Sequence, residues 1–317
     1  MEEKRKSLRE LVAEKQVFAP CVWDVFSANA AQNGGFEATL LSGGALAEWV
    51  CGMPDIGLIT ADDLVKQTEY ICDANPLPCC VDADDGYGET PLHAYRTTER
   101  LVKAGASSLT LDDTTGFRGY NRWGMQLRSG AADGTMTHPT VTRKEWLSKV
   151  KASLEAGSKD EDFLVIARTE CKLQLGLEEA IERCLRAEEL GAEMTLVIGL
   201  MNQDEAEQVA AQLPGWKMWP DVMSRDGKPD VNLDDVAKLG FNFVTCHILE
   251  KGAMMGMIDI GRHCLAERSM RYHDTHRMNL PEEDVGVALL GTYDKTSVMN
   301  PDRWMEMEPR FHENIPE

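Results

Sequence analysis

A chain of 317 residues, 43% hydrophobic and 27% charged, is long enough to bury one barrel-sized core or two smaller ones, and its composition is that of a globular protein. A formal net charge of -20 argues against a nucleic-acid partner, which needs a basic face, but leaves room for an anionic ligand held through a divalent cation. The nine cysteines are odd in number, scattered and without a CxxC pair, so they read as reduced thiols rather than as a disulfide framework or a zinc site.

Met1 is followed by Glu2-Glu3-Lys4-Arg5-Lys6 with no apolar segment behind it, and no apolar run reaches membrane-spanning length, so a cytoplasmic location is expected. Ser7 to Glu14 then reads as a short amphipathic helix with Leu8, Leu11 and Val12 on one face. Val17 to Asp24 is the first strand, Ser27 to Gln32 a helix, and Glu37 to Leu41 a second strand stopping at Ser42-Gly43-Gly44. Thr60 caps a helix that runs to about Asp73. Leu77 to Val81 is the third strand, Pro91 to Ala104 helical, and Ser108 to Leu111 the fourth strand. After a long loop, Thr142 caps a helix over Arg143 to Ala156, and Phe163 to Ala167 is the fifth strand. Leu177 to Leu190 is helical, Met194 to Ile198 a strand, Asp204 to Leu213 helical and Lys217 to Trp219 a short strand. Leu233 to Leu239 is helical, Phe241 to Ile248 the last strand and Ala253 to Ser269 the last helix of the series.

Eight short apolar strands, each followed by a helix, imply a parallel sheet covered by helices, and at this length an α/β (β/α)8 TIM barrel. An open doubly wound sheet would favour a G-x-G-x-x-G turn after the first strand, where this chain has Ala19-Pro20-Cys21-Val22-Trp23-Asp24. Residues 1–268 are assigned to the barrel, and 269–317 to a C-terminal helical extension packing on a neighbouring subunit.

In such a barrel the chemistry collects at the C-terminal ends of the strands. The polar residues there are Trp23 and Asp24, Ser42 with Gly43 and Gly44, Asp55, Asp82 and Asp84, Asp112 and Asp113, and Arg168 with Glu170. Asp82 and Asp84, two apart on an extended chain, are expected to face one side, where their repulsion calls for a cation. Oxygen donors without His or Cys select Mg2+, or Mn2+, over zinc, and Arg168 offers a fixed fork for a substrate carboxylate.

The same stretches, in the same order, resemble the isocitrate lyase and phosphoenolpyruvate mutase superfamily. They are Phe18-Ala19-Pro20-Cys21-Val22-Trp23-Asp24 with Ser27-Ala28, Ser42-Gly43-Gly44-Ala45, Gly52-Met53-Pro54-Asp55-Ile56-Gly57 and Asp82-Ala83-Asp84-Asp85-Gly86-Tyr87-Gly88, followed by Leu111-Asp112-Asp113 and Ala167-Arg168-Thr169-Glu170, with Gly227-Lys228-Pro229 a weaker echo. The resemblance implies a barrel, often a homotetramer whose subunits exchange the last barrel helix. It implies Mg2+ held by Asp82 directly, with Asp84, Asp55 and Asp112 acting directly or through water. Ser42, Gly43, Gly44 and Arg168 would hold an α-oxo carboxylate beside Trp23 and Asp24, and the reaction would pass through an enolate.

Two departures bear on the reaction. Lyases of this family carry Lys-Arg/Lys-Cys-Gly-His in the lid, where this chain has Arg118-Gly119-Tyr120-Asn121-Arg122, with neither Cys nor His. A Glu after the sixth strand is replaced within Leu196-Val197-Ile198-Gly199. The catalytic candidates are therefore Arg168 with Arg118 and Tyr120 of the lid, Tyr120 standing about where the cysteine would be. His138 and His247 read as lone structural histidines, Cys79 and Cys80 as core, and Met254-Met255-Met257 as core or subunit interface. The expected activity is an Mg2+-dependent C–C bond lyase for a 2-hydroxy di- or tricarboxylate. The alternatives are a phosphonopyruvate-type mutase or hydrolase, an oxaloacetate hydrolase, or a barrel that binds an oxo acid without turning it over.

Overall fold

Strands buried on both faces need near-continuous apolar runs, and the chain supplies eight of them. In a computed structural model that describes residues 6–115, 139–200, 202–219, 232–276 and 298–313, these are β1 (Val17–Val22), β2 (Thr39–Leu41), β3 (Cys79–Asp82), β4 (Ser108–Leu111), β5 (Leu164–Thr169), β6 (Met194–Val197), β7 (Trp216–Trp219) and β8 (Phe243–Cys246). They pair in parallel and in sequence order into a closed barrel, so the expected (β/α)8 architecture holds. No helix among the described residues is long and apolar enough to cross a membrane.

Strand register decides which side chains meet at the mouth. Followed once round from Cys21, through Leu40, Cys80, Ser108 and Leu164, the ladder returns to β1 eight residues lower, the stagger of a TIM barrel. Residues at one height along the axis therefore climb one position per strand. Inward-facing Cys21 of β1, Asp82 of β3 and Arg168 of β5 share a layer. Ser42, Asp112, Ile198 and His247, each just past an even-numbered strand, form the layer above. Below lies an apolar filling that includes Ala19, Leu40, Cys80, Ile166, Met218 and Phe243.

The covering helices begin where capping chemistry says they should. Ser7 with Glu10, Thr60 with Asp63 and Thr142 with Glu145 form reciprocal capping boxes, each contributing about 1 kcal/mol to its helix. Three features differ from the sequence expectation. Ser42-Gly43-Gly44 is not a simple turn but opens a helical turn, Gly43–Ala45, which widens into the π-helical Leu46–Val50. Cys171 precedes a short helix, Lys172–Leu175, that its apolar spacing did not announce. The last strand is shorter than Phe241 to Ile248, because Ile248 already starts the helix Ile248–Glu267.

One buried ion pair ties the wall of the barrel together at its mouth. Asp113 is fully buried; its Oδ2 accepts from Arg183 Nη1 at 2.8 Å and from the Thr169 hydroxyl, and its Oδ1 accepts from the Glu170 amide at 2.8 Å. Burial pushes this carboxyl up, while Thr169, the Glu170 amide and Arg183 pull it back down. Arg183→Met should therefore destabilise the fold by about 3 kcal/mol, read from the urea midpoint at constant m. The loss should shrink as the pH is lowered and Asp113 becomes protonated, because a neutral carboxyl no longer requires the cation.

Candidate active site

At the mouth, Asp82 ends β3 and its Oδ1 accepts from Arg168 Nη1 at 2.9 Å and from Thr110 Oγ1 at 3.0 Å. Arg168, on β5, reaches past β4 to do this and also pairs with Glu170. Burial works against its charge, but Glu170, Asp82 and Asp112 outweigh that and hold the guanidinium well above its ordinary value. Thr110 and Glu170 are thus part of the frame that orients Asp82, a role their strand-end spacing alone does not reveal.

Asp84 faces the same region for a different reason from the one expected. β3 has ended, and Asp84 sits in the left-handed region at φ 51°, as does Tyr87 at φ 58°. The chain is kinked, not extended, and the Asp84 carbonyl accepts the Asp112 amide at 2.7 Å to pin the kink. Gly43 and Gly44 show how close the carboxylates come. A Cβ on Gly43 would lie 3.3 Å from Asp84 Oδ1 and 3.6 Å from Asp82 Oδ2, and one on Gly44 only 2.8 Å from Asp55 Oδ2. Asp55, Asp82 and Asp84 therefore converge on the backbone of Gly43-Gly44.

Asp112 is fully buried, its Oδ1 accepting from Thr114 N at 2.9 Å and Thr114 Oγ1 at 2.7 Å. Burial is the main reason its carboxyl is pushed up to about 7; Arg168 lowers it and Glu170 raises it. The Tyr87 hydroxyl is buried among the same charges and is pushed up by burial first, then by Asp82, Asp85, Asp55 and Asp112. Asp85 serves the turn that follows: its Oδ1 accepts the Tyr87 amide at 3.0 Å. It is also held by Lys149, whose Nζ donates to the Asp85 carbonyl at 2.9 Å and to Oδ2 at 3.2 Å in a buried pair. Nothing in the spacing of the Arg143–Gly157 helix marks Lys149 for this role.

The remaining expected residues are placed as follows. Trp23 is buried against Trp49 with ring centroids 6.0 Å apart. Asp24 caps the Val25–Asn33 helix, its Oδ1 accepting from Ser27 N at 2.7 Å, so one oxygen of its carboxylate is committed to structure. Ser42 is buried and its Oγ accepts from Ala45 N at 3.1 Å. Arg118, Tyr120, His138 and Gly227-Lys228-Pro229 lie outside the described residues. Among the described residues no group of three or more His, Cys, Asp or Glu side chains is placed to hold a metal ion as it stands. Oxygen donors such as Asp55, Asp82 and Asp84 would suit a hard cation that keeps several of its own waters.

The family model for phosphoenolpyruvate phosphomutase matches residues 8–259. The chain belongs to this family. It is 30% identical over 279 residues to an oxaloacetate decarboxylase of Pseudomonas fluorescens, covering 88% of this chain and 89% of that one. It is 35% identical over 164 residues to the 2-methylisocitrate lyase of Escherichia coli, covering 52% of this chain; the match spans about half of that relative's length (51%). Among solved structures, a phosphonopyruvate hydrolase in complex with oxalate and Mg2+ superposes with a TM-score of 0.72 at 21% identity, covering 96% of each chain. That likeness shows the family's barrel.

In this phosphomutase-family barrel, Gly44→Ala tests how tightly the carboxylates are set. The new methyl meets only the end of the Asp55 side chain, so the protein should stay folded, with a melting temperature within about 4 °C of the parent. Asp55 should swing aside, and calorimetry should show a several-fold loss of divalent-ion affinity.

Proposed function

We propose that the chain is an Mg2+-dependent carbon–carbon bond lyase that acts on a small 2-hydroxy di- or tricarboxylate and releases an α-oxo acid through its enolate. The observation that carries this reading is the convergence of Asp55, Asp82 and Asp84 on the Gly43-Gly44 backbone, with Arg168 fixed beside Asp82. Asp82, with Asp84, Asp55 and Asp112 directly or through water, would hold the ion, which supplies Lewis-acid stabilisation of negative charge on the substrate's oxygens. Arg168 and the backbone at Ser42, Gly43 and Gly44 would fix the oxo-acid carboxylate, and Trp23 would close the pocket beside it with Asp24 at its edge. Arg118 and Tyr120 are the lid groups that would complete the pocket.

A second reading is a decarboxylase or hydrolase of oxaloacetate. It is favoured by the match to the oxaloacetate decarboxylase, which runs along 88% of the chain where the lyase match covers 52%. Both reactions break a C–C bond and leave an enolate, so the carboxylate half of the site serves either. Mutase or hydrolase chemistry at a C–P bond and oxo-acid binding without turnover are the remaining outcomes. We also infer an oligomer. The Ile248–Glu267 helix has no buried residue and exposes Met255, Met257 and Leu265, which suits exchange of this helix with a neighbouring subunit, the 269–317 extension packing alongside.

The test is a screen of alkylated malates, citrate-like acids and oxaloacetate with Mg2+, following pyruvate, glyoxylate, oxalate and CO2, with phosphorus NMR of phosphonopyruvate in parallel. Turnover should need the metal, stop with a chelator and fall at least about 10³-fold in Asp82→Asn, whose amide cannot replace a charged ligand. Tight oxalate binding with no turnover of any of these acids would sink the lyase reading.

A further inference from the structure

The carboxylate side of the pocket has a chemical gap. Carboxylates that hold a cation cannot also give up a proton, and Arg168 does not release one. Any enolate formed there must be protonated at carbon from another direction. The lid of this chain lacks the family's cysteine and offers Tyr120 in its place, while the opposite wall, where β8 meets β1, carries ionisable groups of its own.

His247, read from the sequence as structural, meets a buried cysteine at that seam. The register Pro20↔Cys246 places Cys21 beside His247. Phe243 packs into the barrel interior and Val244 outside it, so alternation carries Thr245 inward, and His247, at φ -89° and ψ 46°, caps the following helix just past the strand's end. Cys21 belongs to the interior filling and shares its layer with Asp82 and Arg168, while His247 shares the next with Ser42 and Asp112. The Cys21 thiol and the imidazole are electrostatically coupled across the seam. His247 Nδ1 lies 2.7 Å from Glu250 Oε1, contributed by the first turn of the helix that His247 opens. The thiol is buried at 1% exposure, whereas the imidazole side chain is 39% exposed. An ionisable sulfur, an imidazole within hydrogen-bond reach and a carboxylate orienting that imidazole form the arrangement expected of an activated proton-transfer group.

We propose that Cys21, His247 and Glu250 are the proton-transfer group of this pocket, delivering the proton that converts the bound enolate to the released oxo acid. This rests on the enolate reading given above. The proton is the one shared by Cys21 and His247. Its bond to the pair breaks as the enolate's electron pair forms a C–H bond, and the pair is left one proton poorer. Breaking the C–C bond of a 2-hydroxy acid frees its hydroxyl proton, and that proton, returned through solvent, restores the pair and balances the cycle. Glu250 acts through His247 and is a positioning residue. The electrostatics agree with a resident proton. Burial opposes the imidazolium, but Cys21 and then Glu250, the groups that face it from β1 and from its own helix, outweigh burial and push His247 up to about 12.

Exchange of the pyruvate methyl protons in D2O, followed by proton NMR with Mg2+ present, reads this step without knowledge of the full substrate. The unaltered protein should catalyse exchange. His247→Asn and Cys21→Ala should each lower it at least about a hundredfold, while oxalate and Mg2+ binding by calorimetry stay as they were. Glu250→Gln should give a smaller loss. In the metal-free protein, nitrogen NMR should find His247 titrating well above the ordinary value of about 6.5, and moving back toward it in Cys21→Ala and Glu250→Gln. Full exchange in His247→Asn, or an unshifted His247 in the unaltered protein, would overturn the assignment and leave the metal and carboxylate reading standing. An unaltered protein that neither binds oxalate nor exchanges pyruvate would overturn the enolate reading, and this role with it.

Discussion

Asp55, Asp82, Asp84 and Asp112 bring four carboxyl groups to one end of one barrel, and where water is partly excluded their repulsion must be offset by a cation built into the fold. Arg168 is that cation. It stands in the same layer as Asp82, so a reach past β4 makes the 2.9 Å contact, and Glu170 just beyond the same strand pairs with the fork as well. At about 4 Å and an effective dielectric of about 20, one such attraction is worth about 4 kcal/mol before the desolvation of both groups is subtracted. The layer itself follows from the eight-residue stagger of the strands, so the electrostatics of the mouth depend on barrel geometry as much as on residue choice.

Strain accompanies this arrangement. Asp84 and Tyr87 occupy left-handed backbone that non-glycine residues avoid, and Leu46–Val50 widens into a π turn immediately behind Gly43-Gly44. Each feature aims something at the same spot: a carboxylate, a phenol hydroxyl or a close backbone approach. The buried Lys149–Asp85 pair and the Asp113–Arg183 pair lie to either side of Asp84 and Asp112. Both anchor the site loops to covering helices, so loops that must hold an unfavourable shape are fixed to elements that need not.

Much of this was legible in the chain. Eight apolar runs with capping residues before several of the helices gave the barrel, because period, caps and strand length are local properties. Aspartates at strand ends pointed to the mouth for the same reason. The structure supplied what depends on non-local register. Alternation suggested the right side for Asp84 but by the wrong geometry, since an αL kink has no sequence mark beyond the glycine that follows. Ser42-Gly43-Gly44 looked like a stop and is a start, because glycines suit both roles and only the neighbouring Asp55 and Asp84 decide between them. Lys149 was invisible, a lysine on a helix whose partner sits on another unit of the barrel.

His247 shows the limit most clearly. In the sequence it has no partner at metal or triad spacing, and a lone histidine is most often structural. Its partner Cys21 comes from the other end of the chain, and only closure of the barrel, β8 upon β1, makes them neighbours. An open doubly wound sheet would place the first strand inside the sheet and the last at an edge, and the pair would not exist. Closure therefore joins two half-sites. The β2 to β5 arc gathers negative charge around Arg168, while the β8–β1 seam gathers thiol, imidazole and Glu250. Enolate chemistry needs both charge stabilisation and a proton, from groups that do not neutralise each other. Placing them on opposite walls of one barrel meets that requirement, since the width of the lumen holds the carboxylates apart from the proton they would otherwise take.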